Sequence, residues 1–270
     1  MATLDYKIEF YCCDTSLMLI YNNRYLNMGI SSMPLISPQP IQGTLLPCLE
    51  TSWNLGQIGS NAPFYTPYLL ETTEIGSFAS TCQAAHILGV VIRHRDAQGN
   101  GDADSCFRLS EARQLHETLV SLSTYLTGLS TLFMDDSDTA SGLAICYSAR
   151  FILYTIYACN EHYSATEARI PEETEMQTAS INGLAEVSHG IYRIAQRLSD
   201  ALATGDNNVL SKCLLISHCL YQAASELAWF IREEKVMENV ASLRVIIDIL
   251  KLIEKRWGVA SKCVNFLVEV

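Results

Sequence analysis

Beyond position 76, apolar residues recur at three- and four-residue intervals, the period of one face of an α-helix. Segment 76–97 carries Phe78, Cys82, Ala85, Leu88, Gly89 and Ile92 in that rhythm, and the polar stretch 98–104, with Gly99 and Gly101, stops it. The spacing predicts a second helix over 109–129, with Ser110 as its N-cap ahead of an acidic first turn. After a turn at 134–142, Asp138 or Ser141 is predicted to cap a third helix running to about position 163. Residues 164–178, around Pro171 and Glu175, read as an acidic linker. Three long amphipathic stripes follow. The first is Leu184, Val187, Ile191, Ile194, Leu198 and Leu202; the second is Leu210, Leu214, Ser217, Tyr221, Ala224, Ala228 and Ile231. The third runs through Leu243, Ile246, Leu250, Ile253, Trp257, Ala260, Val264 and Leu267.

The start of the chain is patterned differently. Residues 6–26 have helical potential, but six of the seven prolines lie between 31 and 70, at 34, 38, 40, 47, 63 and 67. A proline inside a helix costs about 3 kcal/mol, so this stretch is predicted to be extended and rich in turns. No stretch alternates apolar and polar residues as a half-buried strand does. The predicted fold class is therefore all-α: a multi-helix bundle or array of about six or seven helices. It has no fixed-period repeat. Residues 1–75 are expected to form an N-terminal helix and a Pro-rich irregular segment packed on the helical domain 76–270.

Composition narrows the function classes. Apolar residues make up 49% and charged residues 17%, which implies a large core and excludes a disordered chain. The net charge of −11 repels phosphate, so direct nucleic-acid binding is not expected. Residues 1–10 lack the pattern of a signal peptide, and the ten cysteines are expected to be mostly reduced, buried thiols. No membrane span is expected: 118–134 is rich in Ser and Thr, and 143–159 has Arg150 at its centre.

Several motifs approach known chemistry and stop short. Asp135, Asp136 and Asp138 resemble half of a terpene-synthase magnesium site. The complementary run would need a carboxylate after Asn207 and Ser211, where Leu215 stands. Asp96, Gln98, Asn100, Gly101, Asp102 and Asp104 imitate a calcium loop, but its twelfth position is Phe107 rather than the bidentate Glu. Cys159 and His162 form one spaced pair, while Cys213, His218 and Cys219 do not converge on one helix face. The six histidines, 86, 94, 116, 162, 189 and 218, read as ordinary helix residues. There is no GxSxG elbow or phosphate loop, and Arg93 with Arg95, or Lys255 with Arg256, make no phosphate track. The residues thus predict no catalytic, metal or cofactor site, and the chain reads as a non-enzyme.

The order of segments does resemble one family. Residues 45–56 (LLPCLETSWNLG) and 76–95 (GSFASTCQAAHILGVVIRHR), followed by 219–234 (CLYQAASELAWFIREE) and 243–270 with Lys255-Arg256-Trp257 and Ala260, carry it. Together they look like the C-terminal half of the regulatory domain of fungal binuclear zinc cluster transcription factors, with a weaker match at 14–24. The family's six-cysteine zinc cluster, basic linker and coiled coil have no counterpart here, so the resemblance implies a C-terminal piece. It further implies transcription regulation in the nucleus through transcription-machinery or regulatory proteins. A small-molecule effector and self-association are also implied, without DNA contact by this chain. The alternatives are an all-α enzyme of specialised metabolism, on Asp135, Asp136 and Asp138, and a stand-alone helical scaffold that binds a protein.

Overall fold

The structure is a computed structural model and describes residues 39–41, 43–57, 61–64, 75–97, 105–132, 137–158, 170–205, 216–235 and 238–256. Of these, 86% are helical, and the fold is all-α. The described helices are α1 (Glu50–Asn54), α2 (Ser77–Ala97), α3 (Ser105–Leu132), α4 (Ser137–Ala158), α5 (Pro171–Ala203), α6 (Ser217–Glu234) and α7 (Glu238–Arg256). The chain divides into two compact units: Met1–Gly101 with Glu117–Cys146, and Asp102–His116 with Tyr147–Val270.

In the first unit the Pro-rich stretch packs on α2. Leu45 and Pro63 form an isolated antiparallel bridge, and Leu46 N–H donates to Ala62 O at 2.8 Å. This holds Leu46 and Phe64 in one buried cluster with Ala79 and Cys82 of α2. The short helix α1 places Glu50 at the start of α2. Its Oε1 accepts from Ser77 Oγ at 2.7 Å and from Phe78 N–H at 2.8 Å. A carboxylate there meets the positive end of the helix dipole and satisfies a backbone donor that the helix itself leaves open. The fit explains Gly76, where a Cβ would lie 2.5 Å from Glu50 Oε2. Further along, Cys146 Sγ of α4 donates to Leu119 O of α3 at 3.5 Å, and Gly142 brings α4 against Thr81 of α2.

In the second unit α5, α6 and α7 pack on one another. Leu184, Val187, Ile191, Ile194 and Leu198 are the buried face of α5, and Ile246, Ile249, Leu250 and Ile253 that of α7. Each such side chain contributes about 1.5–3 kcal/mol when taken from water to the core. These faces match the described part of the first and third predicted stripes, except that Leu202 and Leu243 are half-buried. The stripe on α6 is turned by one residue from the expected one. Tyr221, Ala228 and Ile231 are half-buried, whereas Cys219, Leu220, Ala223, Leu227 and Phe230 are buried beside Ala224. Leu210, Leu214, Trp257, Ala260, Val264 and Leu267 lie outside the described residues.

Three helix starts differ from the expected positions. α3 begins at Ser105, so Ser110 is an exposed residue inside the helix rather than its cap. No proline or glycine separates 105 from 110, and an interior serine costs only some tenths of a kcal/mol. α4 begins at Ser137 and contains both Asp138 and Ser141, so neither caps it. The expected linker at 171–178 is instead the first two turns of α5. Pro171 sits at the first helical position, where its missing N–H costs nothing, and Glu172 and Glu173 complement the dipole.

Candidate functional site

The densest set of polar contacts is centred on α4. Its sequence from 143 to 158 is apolar apart from a few hydroxyls and Arg150, which lies three residues after Tyr147 and four before Tyr154. These three side chains share one helix face. On α5, Gly183, Glu186 and Gly190 have the same spacing of three and then four, and the two helices meet antiparallel. Tyr154 lies directly on Gly183, where a Cβ would be 2.3 Å from Cε2, and Tyr147 lies on Gly190, where a Cβ would be 2.6 Å from the hydroxyl. Glu186 falls between the glycines, opposite Arg150. At the end of the same ladder, Gln177 Nε2 donates to Ala158 O at 3.3 Å.

Arg150 is 1% exposed and Tyr154 is fully buried. The guanidinium is shared between partners. Nη1 and Nη2 donate to the two oxygens of Glu186 at 3.3 and 2.9 Å, and Nε donates to the Tyr154 hydroxyl at 3.1 Å. The guanidinium carbon also lies 5.5 Å from the Tyr154 ring centre, a cation–π contact. Burial is the largest influence on Arg150 and opposes its charge, but the bond to Glu186, followed by Tyr154, outweighs it and raises the pKa. The Tyr154 hydroxyl is also 2.9 Å from His116 Nδ1 on α3. Because its oxygen accepts from Arg150, its proton is available to Nδ1, which suits the Nε2-protonated imidazole. A second ion pair joins Arg113 of α3 to Glu175 of α5, both exposed.

A carboxylate, a guanidinium, a phenol and an imidazole in series have the residue types of an acid–base site. The phenol of this series is not placed for it. General acid–base chemistry needs an atom within hydrogen-bond reach of substrate. Here the phenol has no exposed surface, and its oxygen is engaged from two sides. The arrangement fastens α3, α4 and α5 together within the second unit.

A smaller pair sits nearby in sequence. His218 Nδ1 of α6 is 3.2 Å from Ser148 Oγ of α4, and burial lowers the His218 pKa to about 4. Cys219 turns the other way and donates to Ile216 O at 3.1 Å. The two neighbours do not converge. Among the described residues no group of three or more His, Cys, Asp or Glu side chains is placed to hold a metal ion.

The remaining sequence candidates are dispersed. Asp135, Asp136, Asn207, Ser211, Leu215, Cys159, His162 and Cys213 lie outside the described residues, as does the 98–104 loop. Asp138 is in the first turn of α4. Asp96 accepts from Arg95 Nε at 2.9 Å. Cys82, Cys146 and Cys219 are buried thiols, Cys48 is half-buried and Cys106 exposed. Among the described residues no helix is long and apolar enough to cross a membrane.

Sequence reasoning used Arg150 only as an obstacle to membrane insertion and missed its partners. The usable signal was an arginine framed by tyrosines at −3 and +4 within an apolar run, and a glutamate framed by glycines at −3 and +4 further on. No protein-family model, curated protein or solved structure matches the chain.

Proposed function

We propose that this chain is a regulatory region of the fungal zinc cluster type, acting in the nucleus by binding other proteins or a small-molecule effector rather than by catalysis. The observation that carries this reading is the agreement between the resembling segments and the helices. The 76–95 segment coincides with α2, the 219–234 segment with α6, and the acid of the 45–56 segment caps α2 through Glu50. The polar cluster around Arg150 supports it further, because its hydrogen bonds join helices of the second unit. With a net charge of −11, contact with DNA would fall to another module.

The test is a reporter assay in a fungal host, with the chain fused to an unrelated DNA-binding domain. Transcription should change relative to the DNA-binding domain alone, and destabilising the fold at Gly183 should abolish the change. A fusion that leaves the reporter unaffected, together with magnesium-dependent turnover of a prenyl diphosphate by the purified chain, would overturn the reading in favour of an enzyme.

A further inference from the structure

We infer that the outer face of α6 is a docking surface for an arginine-bearing segment of a partner protein, held by the Trp229 ring and the Glu226 carboxylate. Gln222, Glu226, Trp229 and Glu233 follow one another at four-, three- and four-residue intervals, so they form one stripe. That stripe flanks the face that buries Leu220, Ala223 and Leu227, with Gln222 and Glu226 half-buried and Trp229 and Glu233 exposed. Trp229 is 43% exposed. Its ring is not loose: it stands edge-to-face on Phe230 with centroids 5.2 Å apart, and Phe230 is anchored in the core. An indole fixed in this way offers its surface at little entropic cost.

Glu226 supplies the complementary charge. Among the described residues it has no hydrogen bond or ion pair, unlike Glu233, which is bound to Arg232 Nε at 3.1 Å. It is half-buried, and burial alone raises its carboxyl pKa, so a ligand that neutralises it regains what burial costs. A carboxylate three residues before an indole on one helix stripe matches the guanidinium group, whose planar fork pairs with the first and stacks on the second. The overall charge of −11 draws in a basic segment, and it opposes docking of a second copy or of an anionic lipid surface.

This surface is independent of the regulatory reading, because it can be tested without transcription. The experiment titrates a fluorescent hexa-arginine peptide with the full chain and reads anisotropy, with hexa-lysine for comparison. Hexa-arginine should bind more tightly, and Trp229→Ala and Glu226→Gln should each weaken it about tenfold. Glu172→Gln removes the same charge from the exposed start of α5 and should change binding by less than about twofold. Glu226→Gln keeps the side-chain shape and removes a poorly solvated charge, so it should fold at least as well as the parent. Equal weakening by all three variants would reduce the effect to net charge and overturn the inference. So would unchanged binding in Trp229→Ala and Glu226→Gln, or a Trp229→Ala variant whose only change is loss of self-association.

Discussion

Replacing Gly183 with alanine should destabilise the protein, against the ordinary direction of that change in a helix. In an exposed helix interior, alanine is about 0.5–1 kcal/mol better than glycine because it restricts the unfolded chain. At Gly183 the added methyl would sit 2.3, 2.6 and 2.8 Å from Cε2, Cζ and Cδ2 of Tyr154. All three are below any tolerable carbon–carbon contact, so the ring or the helix must move. The ring is held by Arg150 Nε at 3.1 Å and His116 Nδ1 at 2.9 Å, so its displacement weakens two buried hydrogen bonds. Overpacking costs about 1–3 kcal/mol, and each orphaned buried group about as much again. Set against the gain in propensity, the net effect is a loss of about 2–4 kcal/mol. Urea denaturation followed by far-UV circular dichroism measures it directly. Gly128 on α3 is the internal control, since a Cβ there meets nothing within 4 Å. Its alanine variant should be neutral or gain up to about 1 kcal/mol. If Gly183→Ala were as stable as Gly128→Ala, the α4–α5 contact described above would be wrong. A double variant, Gly183→Ala with Tyr154→Leu, should recover part of the loss by removing the obstructing ring.

Glu186→Ala should cost about 2–3 kcal/mol because it leaves a guanidinium buried without its counter-charge, whereas Arg150→Met returns Glu186 to solvent and should cost less; chemical denaturation of both variants gives the ranking, and the reverse order would refute the assignment. His218 should make stability depend on pH. Its folded pKa is held down to about 4, while the unfolded imidazole takes up a proton near its ordinary value of 6.5. Between those values the unfolded state binds more protons, so stability falls as pH drops from about 6.5 toward 4, by at most about 1.4 kcal/mol per pH unit. Thermal melts of the parent and of His218→Gln across this range should converge at low pH, and parallel curves would contradict the desolvated setting of the ring.

The sequence by itself determined the fold class and most helix axes. A period of 3.6 residues is a local property, legible wherever one face is apolar, and the buried faces of α5 and α7 lie where Leu184–Val187–Ile191 and Ile246–Leu250–Ile253 place them. Proline chemistry likewise separated the irregular start from the helices, although the same chemistry at Pro171 was read as a break when it marks a first turn. What tertiary structure decided was the meaning of the polar residues. Glu50 caps a helix 27 residues away, and Arg150 is neutralised by a glutamate 36 residues away. No local rule links such pairs, because their partners are chosen by which helices pack. The same holds for α6, where apolar residues occur on adjoining faces and packing against neighbouring helices, α5 and α7 among them, selects Leu220, Ala223, Leu227 and Phe230 for the core. Burial of a charge becomes tolerable only when packing brings its counter-charge within hydrogen-bond reach, and that is a property of the assembled helices.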